Sequence, residues 1–451
     1  MFGKDFYYGA SLSGFQFEMG VNSDELDSNT DWYVWTRDKG NIENEVVSGH
    51  DPEKGPGYWR NYGEFHDLAK NCGMNMLRIG VEWSRIFPEP TFNVLQADLK
   101  NIADMNAIKN YREIMKDIKE KGFSLMINLN HFTLPLWLHD PLAVNRNSDF
   151  SKGGWSDDRV VAEFVKFAAF SVRYFDDLVD YWSTMNEPNI INQLGYYMRN
   201  SGFPPSIISL EKMKKGLENS IKAHNDSYDI MKNITDKPVG IIYASSGPTG
   251  PETAVEKALE DESWSYLDKV CDRMDFIGLN YYSRTVVSDS ETGYEYMPGY
   301  GQGGPVNSFT EEGRPTGDFG WEIYPEGLYN ISKAICERYD KPFFVTENGI
   351  ADMGSRYRPY YLVSHMKALE LLVDEGYPVK GYLHWSLTDN YEWAVGLNQL
   401  FGLIHVDFET CKLTPRPSYY IFKQIVEDSS TERFESYLKI PYEIWDEKNL
   451  K

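Results

Sequence analysis

Cysteine is scarce in this chain of 451 residues: Cys72, Cys271, Cys336 and Cys411 stand far apart, with no C-x-x-C pair. That spacing offers neither a zinc framework nor a disulfide scaffold, and reduced thiols are the expectation. Long hydrophobic runs are absent as well, none reaching the roughly 18 apolar residues that span a membrane. The first residues, Met1-Phe2-Gly3-Lys4-Asp5-Phe6, lack a basic region followed by an apolar one, so no signal peptide and a cytoplasmic location are expected. Positive charge is in the minority: 45 Lys and Arg against 68 Asp and Glu leave −23. A field of that sign repels phosphate backbones and anionic headgroups, so neither nucleic acid nor a membrane surface is an expected partner. A glycine-rich phosphate loop is missing too, since Gly9-Ala10-Ser11-Leu12-Ser13-Gly14 fits the dinucleotide fingerprint poorly.

What the chain does have is an ordinary globular composition, 41% hydrophobic and 25% charged, with aromatics at 15%. Rings in that number suit stacking on the apolar faces of sugars, or interfaces. Eight short β-rich runs alternate with helical segments: 6–11, 74–81, 124–129, 181–185, 239–244, 274–279, 342–346 and 379–383. Helical spacing fills the gaps, as over 105–121, where Ile108, Tyr111, Ile114, Met115 and Ile118 recur three or four apart. Eight such alternations predict a single (β/α)₈ barrel across residues 1–451. The polar or Gly- and Pro-rich stretches 22–57, 88–104, 135–155 and 288–319 read as long strand-to-helix loops on the active face.

Barrel enzymes carry their reacting groups at the C-terminal ends of strands, and here those ends are polar. In order they offer Gln16 and Glu18, Arg78 and Glu82, Asn130-His131, Asn186-Glu187, Ser245-Ser246, Asn280-Tyr281-Tyr282, Glu347-Asn348 and His384-Trp385. Glu187 and Glu347 are separated by 347 − 187 = 160 positions, yet a closed barrel turns strands four and seven onto one mouth. Cleaving a glycosidic bond takes two carboxyls, one to protonate the leaving oxygen and one to attack or to activate water. Each glutamate alone is more often a rim charge or an ion-pair partner than a catalyst, and it is the pair with its polar surroundings that carries the signal. A metal-dependent barrel hydrolase would need several His ligands, whereas only His131 and His384 of the eight histidines fall at strand ends.

Six blocks sharpen this reading: 14–20 (GFQFEMG), 81–88 (VEWSRIFP), 184–188 (TMNEP), 280–282 (NYY), 345–349 (VTENG) and 384–393 (HWSLTDNYEW). In order and spacing they resemble glycoside hydrolase family 1, especially its archaeal β-glycosidase branch. The resemblance implies a retaining exo-acting β-glycosidase for terminal β-glucosides and β-galactosides, with β-fucosides or β-mannosides as related substrates, needing no cofactor and no metal. It makes Glu187 the acid/base and Glu347 the nucleophile, about 5 to 5.5 Å apart as double displacement requires. Arg78 and Tyr282 are expected to hold Glu347 charged, and Asn186 and Asn280 to serve the same centre. Gln16, His131, Glu392 and Trp393 match the clamp on the non-reducing sugar, with Trp385 as its stacking floor. An acidic residue at 392, where phosphate-binding relatives have Ser and Lys, implies unphosphorylated sugars. Trp155, Trp321 and Phe401 are expected on the aglycone side. His131 is followed by Phe132, where most bacterial and plant members have Trp, so the ring is kept and its N–H donor is lost. The resemblance also implies a homo-oligomer, a tetramer or dimer, to which the tail Tyr437 to Trp445 could contribute. The rival reading is a catalytically silent sugar-binding barrel, which both glutamates oppose.

Overall fold

The computed structural model describes residues 1–20 and 25–438. Its centre is a closed parallel barrel of eight strands: β1 (Tyr7–Ser11), β2 (Met76–Gly80), β3 (Ser124–Asn130), β4 (Tyr181–Asn186), β5 (Val239–Ala244), β6 (Phe276–Asn280), β7 (Phe343–Glu347) and β8 (Val379–His384). Each pairs with its sequence neighbours, and β8 returns to β1 through Gly9↔Leu383 and Ala10↔His384. All eight coincide with the β-rich runs to within two residues. They are buried on both faces, which is why they read as continuous apolar runs rather than alternating ones.

Helices α1 (Tyr58–Asn71), α2 (Met105–Glu120), α3 (Arg159–Phe175), α4 (Leu210–Lys232), α5 (Glu252–Leu259), α6 (Pro325–Tyr339), α7 (Arg358–Asp374) and α8 (Pro417–Asp428) follow the strands in turn. The start of α2 shows why: Asp104 caps it, its Oδ1 accepting from Asn106 N at 2.8 Å and Ala107 N at 3.2 Å. The five apolar positions read from its periodicity are all buried.

One residue from every strand closes the bottom of the barrel. Met76, Met126, Ile242, Phe276, Phe344 and Leu383 form this apolar floor, with Tyr7 and Tyr181 packed against it. The Phe276 and Tyr181 rings meet Phe344 at 5.5 and 5.4 Å. Same-face positions farther along the strands then carry polar groups: Arg78 lies two residues past Met76, Asn128 two past Met126, and Asn280 four past Phe276.

The long connections hold more structure than their composition suggests. Short helices occupy Asp31–Arg37, Lys39–Glu43 and Pro141–Asn147, and a hairpin joins Val287–Ser290 to Gly293–Tyr296. A second ribbon pairs Ile404–Asp407 with Lys412–Pro415. The pieces within 22–57, 135–155 and 288–319 read as loops in the sequence because each is too short for its periodicity to stand out, and burial against the barrel stabilises them.

The segment after β8 is tied down by Asp389, fully buried, which accepts from Arg416 Nη1 at 2.9 Å and Nη2 at 2.8 Å, and from the backbone N of Gly402 at 3.0 Å. Removing one member of such a pair leaves an uncompensated buried charge, at a cost of about 3–5 kcal/mol. Asp389→Ala is therefore expected to lower the guanidinium unfolding midpoint clearly, and an unchanged midpoint would show that this bidentate pair does not anchor the loop.

Candidate active site

Both glutamates sit where a strand changes its register. Against β5, Ser183 pairs with Gly240 but Asn186 with Ile242, so β4 carries one extra residue just before Glu187. Against β6, Val345 pairs with Leu279 but Glu347 with Asn280, so β7 does the same just before Glu347. A bulge of this kind re-aims the side chains that follow it. Glu187 also takes a left-handed backbone (φ 47°) and starts the helix Pro188–Tyr197. Phe132 (φ 71°) and Trp393 (φ 46°) share that uncommon conformation, and all three line the same cavity. Two residues past Glu347, a Cβ on Gly349 would stand 1.8 Å from the Trp385 carbonyl, so only glycine lets the ends of β7 and β8 approach so closely.

The cavity measures about 740 Å³ and opens at the C-terminal ends of the strands. Glu187, Glu347, Asn280, Tyr282, His131, Glu392, Trp385, Trp393, Trp321 and Phe401 all line it. Arg78, Asn186 and Gln16 are buried in the layer that holds those residues in place. Arg78 Nη1 donates to Glu347 Oε1 at 2.6 Å and Nη2 to Asn186 Oδ1 at 2.8 Å, while the His131 ring lies 3.3 Å from Nη2. The Tyr282 hydroxyl donates to the other oxygen of Glu347 at 2.5 Å. Asn280 Nδ2 donates to Glu187 Oε1 at 2.7 Å and to Asn186 Oδ1 at 2.9 Å. Its own carbonyl accepts from the Thr346 hydroxyl at 2.8 Å, which fixes the direction of the amide.

At the closed end, Gln16 Nε2 donates to Glu392 Oε2 at 3.3 Å and to Asn390 Oδ1 at 3.0 Å, and the Ser13 hydroxyl steadies the Gln16 carbonyl at 2.8 Å. His131 is stacked between Trp385 and Trp393, 5.7 Å from each. Toward the opening, Trp321 stacks on Phe319 at 4.9 Å and tilts against Tyr282 at 5.4 Å.

Trp155, expected on the aglycone side, lies elsewhere. It is 1% exposed, packs on Phe164 of α3 at 5.8 Å and sits beside Tyr196 and His139, so its ring fills space between helices outside the cavity. A tryptophan in a divergent loop is as useful for packing as for binding, and sequence position alone does not separate the two. Glu18 and Glu82 are strand-end acids of a structural kind. Glu18 accepts from Arg85 at 2.6 Å and Tyr111 at 2.8 Å, and Glu82 from the Phe15 amide at 2.9 Å and Thr133 at 2.6 Å. Other cavity residues, among them Phe203, Leu194, Met198, Glu262, Tyr296 and Phe319, carried no signal because they come from loops or from short elements in the strand-to-helix connections, whose periodicity does not stand out. The tail from residue 439 onward lies outside the described residues.

Three buried carboxyls share this cavity with one guanidinium, so they cannot all be charged alike. Glu187 is pushed up to about 8, by burial first and then by the charge of Glu347, with the Asn280 amide and Arg78 opposing. Glu392 is also pushed up to about 8, by burial and then by Glu347 and Glu187. Burial raises Glu347 too, but Arg78 and the Tyr282 hydroxyl both favour its charged form. Of the three, Glu347 alone bonds directly to a cation, which makes it the carboxyl to hold the negative charge. His131 is held well below the usual histidine range by burial and then by Arg78, so its ring is neutral.

A sequence profile described as glycosyl hydrolase family 1 matches residues 1–267 and 252–431. The chain is 43% identical to a β-galactosidase of Saccharolobus solfataricus over 98% of each chain. It is similar to the solved β-glycosidase of the hyperthermophile Thermosphaera aggregans, with a TM-score of 0.94, 41% identity and 97% and 99% of the two chains covered. A β-glucosidase mutant derived from a hyperthermophilic tetrameric structure matches with a TM-score of 0.92 and 44% identity, over 100% of this chain and 99% of the other. With six motif blocks, an eight-stranded barrel and near-complete coverage in agreement, the chain belongs to glycosyl hydrolase family 1 and is a glycoside hydrolase.

Proposed function

We propose that the chain is one catalytic barrel domain over residues 1–451, acting as a retaining, exo-acting β-glycosidase with Glu347 as nucleophile and Glu187 as acid/base. The observation that supports this most is the unequal company of the two carboxyls: Arg78 and Tyr282 on Glu347, a single amide on Glu187. A nucleophile has to be ionised and a general acid protonated, and these surroundings set the two apart.

In the first step a Glu347 oxygen attacks the anomeric carbon, while the proton of Glu187 passes to the leaving glycosidic oxygen. The ester formed at Glu347 removes the charge that raises Glu187, so Glu187, its proton already given to the leaving group, stays a carboxylate and takes a proton from water as base in the second step. Water then attacks the anomeric carbon and releases Glu347 as carboxylate. The bonds from Arg78 and Asn280 that orient Asn186 support a contact of its side chain with the sugar 2-hydroxyl, one that strengthens in the transition state. Gln16 and Glu392, with His131 and the Trp385 and Trp393 rings, form the closed end that takes one terminal sugar. A carboxyl there favours neutral hydroxyls over phosphate, so the substrates are unphosphorylated β-glucosides and β-galactosides, with β-fucosides and β-mannosides as relatives. The names of similar proteins, β-galactosidase and β-glucosidase, support that range. The described residues contain no helix long and apolar enough to cross a membrane. A cytoplasmic homo-oligomer, tetramer or dimer, completes the reading, in keeping with the tetrameric origin of one relative.

Glu347→Gly is expected to abolish hydrolysis of a nitrophenyl β-glycoside and to regain part of it in azide or formate; normal turnover in that variant rejects the nucleophile. In Glu187→Ala, glycosides with acidic leaving groups should lose far less in the first step than those with poor ones, and equal losses would count against the acid. The basic limb of kcat/KM should fall near pH 8, where free Glu187 loses its proton. Removing the hydroxyl in Tyr282→Phe takes a donor from charged Glu347, so its pKa rises and the acidic limb moves to higher pH, with kcat/KM down about 10- to 100-fold. An acidic limb that stays put in this variant would separate Tyr282 from the ionisation of Glu347.

A further inference from the structure

Beyond the reacting carboxyls, toward the opening, the cavity has two unlike walls. One is aromatic, with Trp321 stacked on Phe319. The other follows the ends of β5 and β6 and is polar. There the Ser246 and Thr285 hydroxyls pair at 2.8 Å, and Glu262 faces the same space. Glu262 stands on a π-helical turn, Glu260–Trp264, that continues α5. Such turns are rare and recur at functional sites. Tyr294 and Tyr296, from the hairpin Val287–Ser290 and Gly293–Tyr296, donate to one and the same oxygen of Glu262, Oε1, at 3.0 and 2.5 Å. Among the described residues no donor reaches Oε2, so a partly desolvated carboxylate oxygen is left open beside the cavity. Burial raises Glu262 and the two tyrosine hydroxyls favour its charged form, while neither Glu187 nor Glu347 is among the groups that shift it. Its side-chain bonds run to the hairpin tyrosines and, among the described residues, none to Glu187 or Glu347, which sets it apart from the reacting carboxyls.

We propose that Glu262 is a specificity residue for the leaving group: its open oxygen accepts hydroxyl donors from a saccharide whose apolar ring face lies on the Trp321 and Phe319 wall. A pyranose has that pair of faces, an apolar one for the rings and a hydroxyl edge for the carboxylate, whereas an alkyl or aryl aglycone has nothing to give Oε2. The substrate class is thus a β-linked oligosaccharide, and this assignment rests on the β-glycosidase reading above. A charge-assisted hydrogen bond made outside the reacting centre should act mainly through KM.

The test compares a β-linked trisaccharide with a nitrophenyl β-glycoside of the same terminal sugar, in the wild type and in Glu262→Gln, which keeps an acceptor for both tyrosines. The ratio of the two kcat/KM values is expected to fall about fivefold to tenfold in the variant, through KM, the size of a lost charge-assisted hydrogen bond. An unchanged ratio overturns the assignment, because a purely structural role would lower both substrates alike. Should the variant fold poorly, O-methylation of the leaving sugars tested on the wild type reads the same bond: a matching loss supports it and no loss overturns it. A wild type inactive on both substrates would instead overturn the parent reading, a result distinct from an active enzyme whose ratio does not move.

Discussion

Arg78 is fully buried, and three acceptors surround its guanidinium: Glu347, the side-chain carbonyl of Asn186 and the ring of His131. A guanidinium in that position costs several kcal/mol in lost hydration unless a carboxylate meets it, so Arg78 and Glu347 depend on one another. The pair lies at the junction of the two halves of the site. Through Asn186 it reaches Asn280 and Glu187, and through His131 it reaches the stacked Trp385 and Trp393 at the closed end. The polar groups around Glu187 and Glu347 are thus held by a connected set of bonds, the kind of arrangement that keeps charges in place before a ligand arrives.

That set of bonds needs a rigid base. The apolar floor supplies it, one side chain from each of eight strands, with polar residues stacked above at same-face positions. The bulges in β4 and β7 then break the even spacing at the two places where a carboxyl has to be aimed over the mouth. Glu187 combines its bulge with a left-handed backbone, a local cost tolerated where the surrounding structure fixes the geometry. Strand geometry thus brings together two residues 160 positions apart.

Much of this was legible in the sequence, for identifiable reasons. The strands announced themselves because a parallel barrel buries both faces, so runs such as Leu77 to Ile79 and Leu125 to Ile127 are apolar without interruption apart from Arg78. Arg78 itself was conspicuous for the same reason, a charge inside an apolar strand that demanded a partner. The acids at strand ends were visible but not distinguishable by position: Glu18 and Glu82 end in structural bonds, Glu187 and Glu347 in the cavity, and only the motif blocks separated them beforehand. The bulges left no trace, since one extra residue in a ladder is a matter of register. The side of the cavity expected to take the aglycone was least readable. Trp321 and Phe401 line the cavity while Trp155 packs against Phe164, and nothing in the loop composition marks that difference.

The central claim is that Glu347 carries the sugar between two steps. Its most direct test is to trap the intermediate with a 2-deoxy-2-fluoro β-glycoside bearing an acidic leaving group, digest the protein and map the label by mass spectrometry. The account predicts one glycosyl group per chain, in ester linkage to Glu347. A label on any other residue, or release of the inverted anomer with no label formed, would contradict it.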